Sequence, residues 1–283
     1  MAPLRKAAWR GAGPPLRPRR STVLAAFAAA LLGLGARLSS SHAEEDAAFL
    51  DFLFKRGDPV ERTQRLLLQA DAVAFDVDST IVTTEGIDLL AKCYGVEKEV
   101  ADLTRSAMEG GMKFEDAMRA RLKLMNPTRS SLQKCVRTEG KPHFTPGVIE
   151  VVKRLHAQGT HVFLVSGGFR NMIAPIAEKL EVPEDRIFAN TILFDDKGNY
   201  AGFDETEPTS HDGGKPAVLK LLKKERGYKT MLMVGDGATD LQARPPAKAF
   251  IGFGGVKVRE KVKAGADWFV NSFSEVLDVL PEA

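Results

Sequence analysis

Ala72-Val73-Ala74-Phe75-Asp76-Val77-Asp78-Ser79-Thr80 is a short apolar run that ends in two carboxylates. Four apolar residues bounded by polar ones suit a strand buried on both faces of a parallel sheet. Asp76 and Asp78 are one residue apart, so an extended chain points both side chains the same way as it leaves the sheet. Two like charges that close repel, and neither ionises readily alone in a crevice. Their placement makes chemical sense if a cation neutralises one and a proton transfer uses the other. A carboxylate also serves as a nucleophile toward phosphorus, forming an aspartyl-phosphate. Taken alone, such a pair reads more readily as a surface turn.

Working outward, further apolar strands alternate with helical patterns. His161-Val162-Phe163-Leu164-Val165 runs into Ser166-Gly167-Gly168-Phe169, followed by a helix to Leu180. Met231-Leu232-Met233-Val234 runs into Gly235-Asp236-Gly237-Ala238-Thr239-Asp240. Ala249 to Ile251 and Trp268 to Val270 are further strands, with a last helix after Ser272. Phe194 to Tyr200, with Gly198 and Asn199, carries a hairpin signal. Thr145 is expected to cap a helix with Pro146 at its first position. Gly213-Gly214-Lys215 precedes another helix, to Lys224. This alternation predicts an α/β fold, a Rossmann-like parallel sheet with helices on both faces. In such sheets ligands lie beyond the carboxyl ends of the strands, where the polar clusters of this chain fall.

Residues 86–137 show helical patterns only, in four segments, with Asn126-Pro127-Thr128 as a stop and restart. They read as an inserted helical cap, and 71–85 with 138–283 as the core. Residues 44–70 read as N-terminal helices, the second opened by Pro59.

The chain has 283 residues and a formal net charge of +3. That surplus is local: residues 1–43 hold seven Lys/Arg and no acid, leaving 33 basic against 37 acidic residues, a balance of −4. The body therefore gives no support to nucleic-acid binding. The Arg-rich, acid-free start reads as a targeting leader, a plastid transit peptide first and a mitochondrial one second. Its apolar run from Val23 to Ala36 is too short to span a membrane and leaves a secretory signal third, with Ser41-His42-Ala43 as cleavage site. Cys93 and Cys135 cannot build a disulfide framework and read as ordinary reduced thiols.

If the strand ends converge, they gather the four carboxylates Asp76, Asp78, Asp236 and Asp240, the hydroxyl of Ser166 and the ammonium of Lys215. Oxygen-only ligands in that number suit Mg²⁺ rather than a transition metal. The amides of Ser166, Gly167 and Gly168, next to a helix start, make an anion cradle. An amine and a metal flanking one anion is what phosphoryl transfer needs, because its transition state spreads charge over non-bridging oxygens. Singly, Lys215 also reads as a solvated lysine, Asp240 and Glu85 as helix caps, and Arg121 as part of a charged face.

In sequence order, Asp76-Val77-Asp78-Ser79-Thr80, Ser166, Lys215 and Gly235 to Asp240 resemble the four motifs of the haloacid-dehalogenase-like phosphatases. Phe75 to Glu85, Val165 to Arg170, Gly202 to Thr206 and Met233 to Asp240 extend the resemblance, which runs from about Asp71 to near Leu280. It implies Asp76 as nucleophile and Asp78 as proton donor. It implies one Mg²⁺ held by Asp76, the backbone carbonyl of Asp78 and Asp236, with Asp240 behind. Ser166, Gly167 and Gly168 would hold phosphate oxygens, Lys215 would neutralise charge, and Thr239 would touch substrate. Glu85 would bind a substrate amine and Arg121 a carboxylate, which suits its planar fork. Met108 and Phe114 would line the substrate site. The family often has Met-Gly-Gly where this chain has Met108-Glu109-Gly110, so a contact there would have to use the amide of Glu109.

The reaction implied is hydrolysis of O-phospho-L-serine to L-serine and phosphate, the last step of phosphorylated serine biosynthesis. A small-molecule substrate is the partner, with no membrane span in the mature protein and a homodimer allowed for. Two rivals stay open: a same-fold phosphatase or phosphotransferase acting on a neighbouring amino-acid phosphate, and a non-catalytic module that binds phosphate or serine.

Overall fold

A computed structural model of the chain describes residues 57–108 and 112–283. The expected leader, the helix over 44–56 and Glu109 lie outside the described residues. So does the side chain of Met108. Residues Pro59–Ala283 form one compact unit.

In chain order, α1 (Pro59–Leu68) opens on its proline and leads to β1 (Ala72–Phe75). Four helices follow: α2 (Gly86–Tyr94), α3 (Glu97–Met108), α4 (Phe114–Met125) and α5 (Arg129–Glu139). Asn126 ends α4 in the left-handed region and Thr128 caps α5, accepting the Ser131 amide. Then come α6 (Val148–Ala157), β2 (His161–Phe169), α7 (Arg170–Lys179), β3 (Ile187–Asn190) and the antiparallel pair β4 (Ile192–Phe194) and β5 (Tyr200–Phe203). The chain closes with α8 (Gly214–Arg226), β6 (Met231–Gly235), α9 (Ala238–Leu241), β7 (Ala249–Phe253), α10 (Glu260–Gly265), β8 (Trp268–Val270) and α11 (Phe273–Leu277).

Six strands form one parallel sheet in the order β3-β2-β1-β6-β7-β8. The strand residues alternate between two cores, as a period of two requires. Val73, Phe75, Val162, Leu164, Leu232 and Val234 pack with α1, α6, α7 and α11. Ala72, Ala74, Phe163, Val165, Met231 and Met233 pack under α8 and α10. Both faces of the sheet are thus covered, and all four residues of β1 are buried. A third core joins α2, α3, α4 and α5 with Phe169, Met172 and the β4–β5 hairpin, through Leu90, Leu122, Leu132 and Phe203. Among the described residues no helix is long and apolar enough to cross a membrane.

Four details depart from the sequence reading. Thr145 does not cap α6: Gly147, at φ +87°, stands at the N-cap position, and the Thr145 hydroxyl is buried without a partner. β2 continues through Ser166, Gly167 and Gly168, with an irregularity in its pairing to β3 between Val165 and Phe169. β3 was not anticipated at all. Cys93 and Cys135 are not free thiols but a disulfide, with Cα atoms 5.8 Å apart. The two residues are 42 apart in sequence. Only the packing of α2 against α5 brings them together, and a count of two cysteines carries no sign of it.

Candidate active site

The parallel register places the acids. Phe75 pairs with Val234 of β6 on one side and with Leu164 of β2 on the other. Asp76 continues this ladder, donating its amide to the Val234 carbonyl at 2.9 Å. Asp76, Asp236 and Ser166 therefore emerge side by side at the carboxyl edge of the sheet. β1 is also where the connections diverge, toward β2 on one side and β6 on the other, which leaves a crevice above it.

Lys215 reaches the same point from the first turn of α8. Its ammonium lies 2.7 Å from Asp76 Oδ1 and 2.6 Å from Asp240 Oδ1. Burial works against its charge, but the carboxylates of Asp240 and Asp76 outweigh it and hold its pKa above the ordinary lysine value. The first turn of α8 is fixed by a tight approach: a Cβ on Gly214 would stand 2.2 Å from the Pro208 carbonyl oxygen. Asp240 is fully buried and also accepts the Gly237 amide at 2.9 Å. It is both a local cap and a partner of Lys215. Burial and the neighbouring Asp76 raise its pKa to about 7.

Asp78 accepts the Gly86 amide at 3.0 Å, which ties it to the start of α2. Burial, then the fields of Glu85 and Asp76, push its carboxyl up to about 8. A carboxyl held protonated near neutral pH, next to a second carboxylate at the strand end, is what a proton donor in acid–base chemistry needs.

Oxygens of Asp76, Asp236 and Asp240 all lie within 4.8 Å of one another. The Asp78 carboxylate stands outside this cluster. Burial and Asp76 raise the pKa of Asp236, which accepts from Thr80 Oγ1 at 3.4 Å and Arg259 Nε at 3.1 Å. Three buried carboxylates with only two basic side chains against them fit a hard divalent cation, and the all-oxygen donor set suits Mg²⁺.

Above the acids is a cavity of about 220 Å³. The sheet edge contributes Asp76, Asp78, Ser166, Gly167 and Gly168; Lys215 comes from the start of α8, Asp236 from the turn after β6 and Thr239 from α9. The opposite wall is Glu85, Phe114 and Arg121. Ser166 is 1% exposed, and its Oγ accepts the Gly168 amide at 2.9 Å, so part of the expected amide cradle is already used. Arg121 donates from Nε to the Ala117 carbonyl at 3.0 Å, and burial lowers its pKa from the usual arginine value. Glu85 is the N-cap residue of α2, yet its side chain makes no capping bond. Its Oε1 accepts from Ser79 Oγ and from Lys257 Nζ, each at 2.7 Å.

The sequence reading missed several of these groups. Asn190, at the end of β3, donates to the Gly167 carbonyl at 2.8 Å and accepts from Thr209 Oγ1 at 2.9 Å, which ties the strand extension to the loop before α8. Arg259 and Lys257, both on the loop after β7, reach Asp236 and Glu85. Nothing local marks these two lysine and arginine side chains as different from surface ones. Among the described residues, Met118 is the methionine on the cavity wall.

Sheet order, strand-end acids, buried lysine and helical wall together define a class. The chain belongs to the haloacid dehalogenase-like hydrolases, whose family model matches residues 73–243. Within that class it is similar to phosphoserine phosphatases. That of Bos taurus is 50% identical over 219 residues, 77% of this chain and 97% of its own length. A chloroplastic phosphoserine phosphatase of Arabidopsis thaliana is 46% identical over 224 residues, 78% of this chain and 76% of its own. A solved structure described as the phospho-aspartyl intermediate analogue of phosphoserine phosphatase matches with a TM-score of 0.64 and 31% identity, over 75% of this chain and 99% of that one.

Proposed function

We propose that this chain hydrolyses O-phospho-L-serine to L-serine and inorganic phosphate, and that it works in the plastid. The observation that carries the chemistry is the pairing of Asp76, whose Oδ1 lies 2.7 Å from the Lys215 ammonium, with Asp78, whose carboxyl is raised to about 8. In the first step Asp76 attacks phosphorus, and the seryl oxygen leaves with the Asp78 proton. In the second, the Asp78 carboxylate takes a proton from water as that water attacks phosphorus. The bond to Asp76 then breaks and phosphate leaves.

Lys215 neutralises the phosphoryl oxygens, and Ser166 with the neighbouring amides orients them. Asp76, Asp236 and the backbone carbonyl of Asp78 would hold one Mg²⁺ per subunit, with Asp240 supporting them through Lys215. The ion supplies a positive charge against the non-bridging oxygens. Substrate selectivity falls to the opposite wall, where Glu85 takes the amine and Arg121 the carboxylate of the seryl moiety. Phe114 closes the wall against the Gly167 strand and excludes water. The helices over 86–137 form the cap that carries this wall. The near 50% identity to phosphoserine phosphatases supports the choice of substrate, and the chloroplastic relative together with the Arg-rich residues 1–43 supports the plastid.

The test is turnover of a panel containing O-phospho-L-serine, O-phospho-L-threonine and O-phosphohomoserine, with and without Mg²⁺. Asp76→Asn is expected to lower kcat at least about 10³-fold, since the nucleophile is lost. Its circular dichroism should stay that of the parent. Unchanged turnover in this variant, or a preferred substrate other than phosphoserine, would end the reading.

A further inference from the structure

Two basic side chains on one loop of the core, between β7 and α10, reach acids of the site: Arg259 touches Asp236, and Lys257 touches Glu85. The second contact has a chemical meaning of its own. The Lys257 side chain ends in a primary ammonium, the same group as the amine of the proposed substrate. It lies 2.7 Å from Glu85 Oε1, which already accepts the Ser79 hydroxyl. The Lys257 side chain is 48% exposed and that of Glu85 26%, so the pair is neither locked nor desolvated. An ion pair this open is weak enough for an incoming ligand to displace.

We propose that Lys257 is a specificity-determining residue that acts as an internal competitor for the substrate amine. The proposal rests on the reading of Glu85 as the amine-binding carboxylate. An entering ammonium either displaces Lys257 or binds beside a like charge, and both raise the free energy of the bound amine. Lys257 thereby weakens the hold on amine-bearing ligands, substrate and product serine alike. It leaves the phosphoryl end of the site alone, because it contacts neither Asp76 nor Lys215.

The test compares O-phospho-L-serine with 3-phosphonooxypropanoate, the same phosphoester without the amine, on the full chain. Lys257→Met should lower KM for O-phospho-L-serine by about two- to fivefold, the scale of a half-exposed ion pair, with kcat held. It should strengthen product inhibition by L-serine by a similar factor and leave KM for the analogue unchanged. Lys257→Arg keeps the charge and should behave as the parent, which a purely steric role would not require.

Glu85→Gln separates the two layers of the argument. If it leaves the preference for the amine-bearing substrate intact, the reading of Glu85 is wrong and the proposal falls with it. If it removes that preference while Lys257→Met moves neither KM nor serine inhibition, the Lys257 proposal alone is overturned.

Discussion

At the scale of single residues, the site depends on atoms that a side chain cannot crowd. A Cβ on Gly167 would stand 2.9 Å from Cζ of Phe114. The clash is with the far end of a ring, so the ring shifts and the backbone holds. Gly167→Ala is therefore expected to lower kcat/KM for O-phospho-L-serine about tenfold through misplacement of the wall, in steady-state kinetics. Its melting temperature should stay close to the parent's. Asp76, Asp78 and Asp236 are legible in the sequence, because a strand-end carboxylate needs a reason to be there, and Lys215 is marked by the Gly213-Gly214 turn before its helix. Lys257 and Arg259 were not: their roles come from a loop that crosses to residues 172 and 23 positions away.

At the scale of elements, two joints carry the site. The start of α8 sits against the turn Pro208–Ser210, and a Cβ on Gly214 would meet three backbone atoms of Pro208 and Thr209, at 2.2, 2.8 and 2.9 Å. Backbone does not yield as a ring does, so Gly214→Ala should cost roughly 3 kcal/mol in a urea melt and displace Lys215, with activity lost in parallel. The second joint is between α2 and α5. Three links cross it: the Cys93–Cys135 disulfide, the Lys92–Glu139 ion pair at 2.9 Å and the Tyr94–Ser131 hydroxyl pair at 2.9 Å. Removing the disulfide frees a loop of 42 residues in the unfolded chain, worth ~4 kcal/mol in the chain-entropy account. Cys93→Ser, or a dithiol reductant, should lower the melting temperature by roughly 10 °C. The two remaining links keep the helices paired, so far-ultraviolet circular dichroism at 25 °C should not change.

At the scale of the whole molecule, charge is divided along the chain. Residues 1–43 carry all of the basic surplus, and the remainder stands at −4. A chain beginning at Glu44 should migrate toward the anode at pH 7, opposite to the full chain, and keep phosphatase activity. Residues 1–43 fused to a fluorescent reporter should deliver it to plastids. Retention in the cytosol, or entry into the secretory route, would overturn the assignment of compartment.

The sequence by itself determined the alternation of apolar strands and helices, the three strand-end clusters with Lys215 at a helix start, and the kind of chemistry they support. Those signals are local: periodicity, a turn, a pair of acids on one side of a strand. Only the tertiary structure decided which strands neighbour β1, and with that which acids lie close enough together to hold a cation and which pair with a lysine. It also decided that the strand after Val165 runs on through Gly168, that Gly147 rather than Thr145 starts α6, and that two distant cysteines meet. Each of these depends on packing between segments far apart in the chain, where spacing along the sequence carries no distance in space.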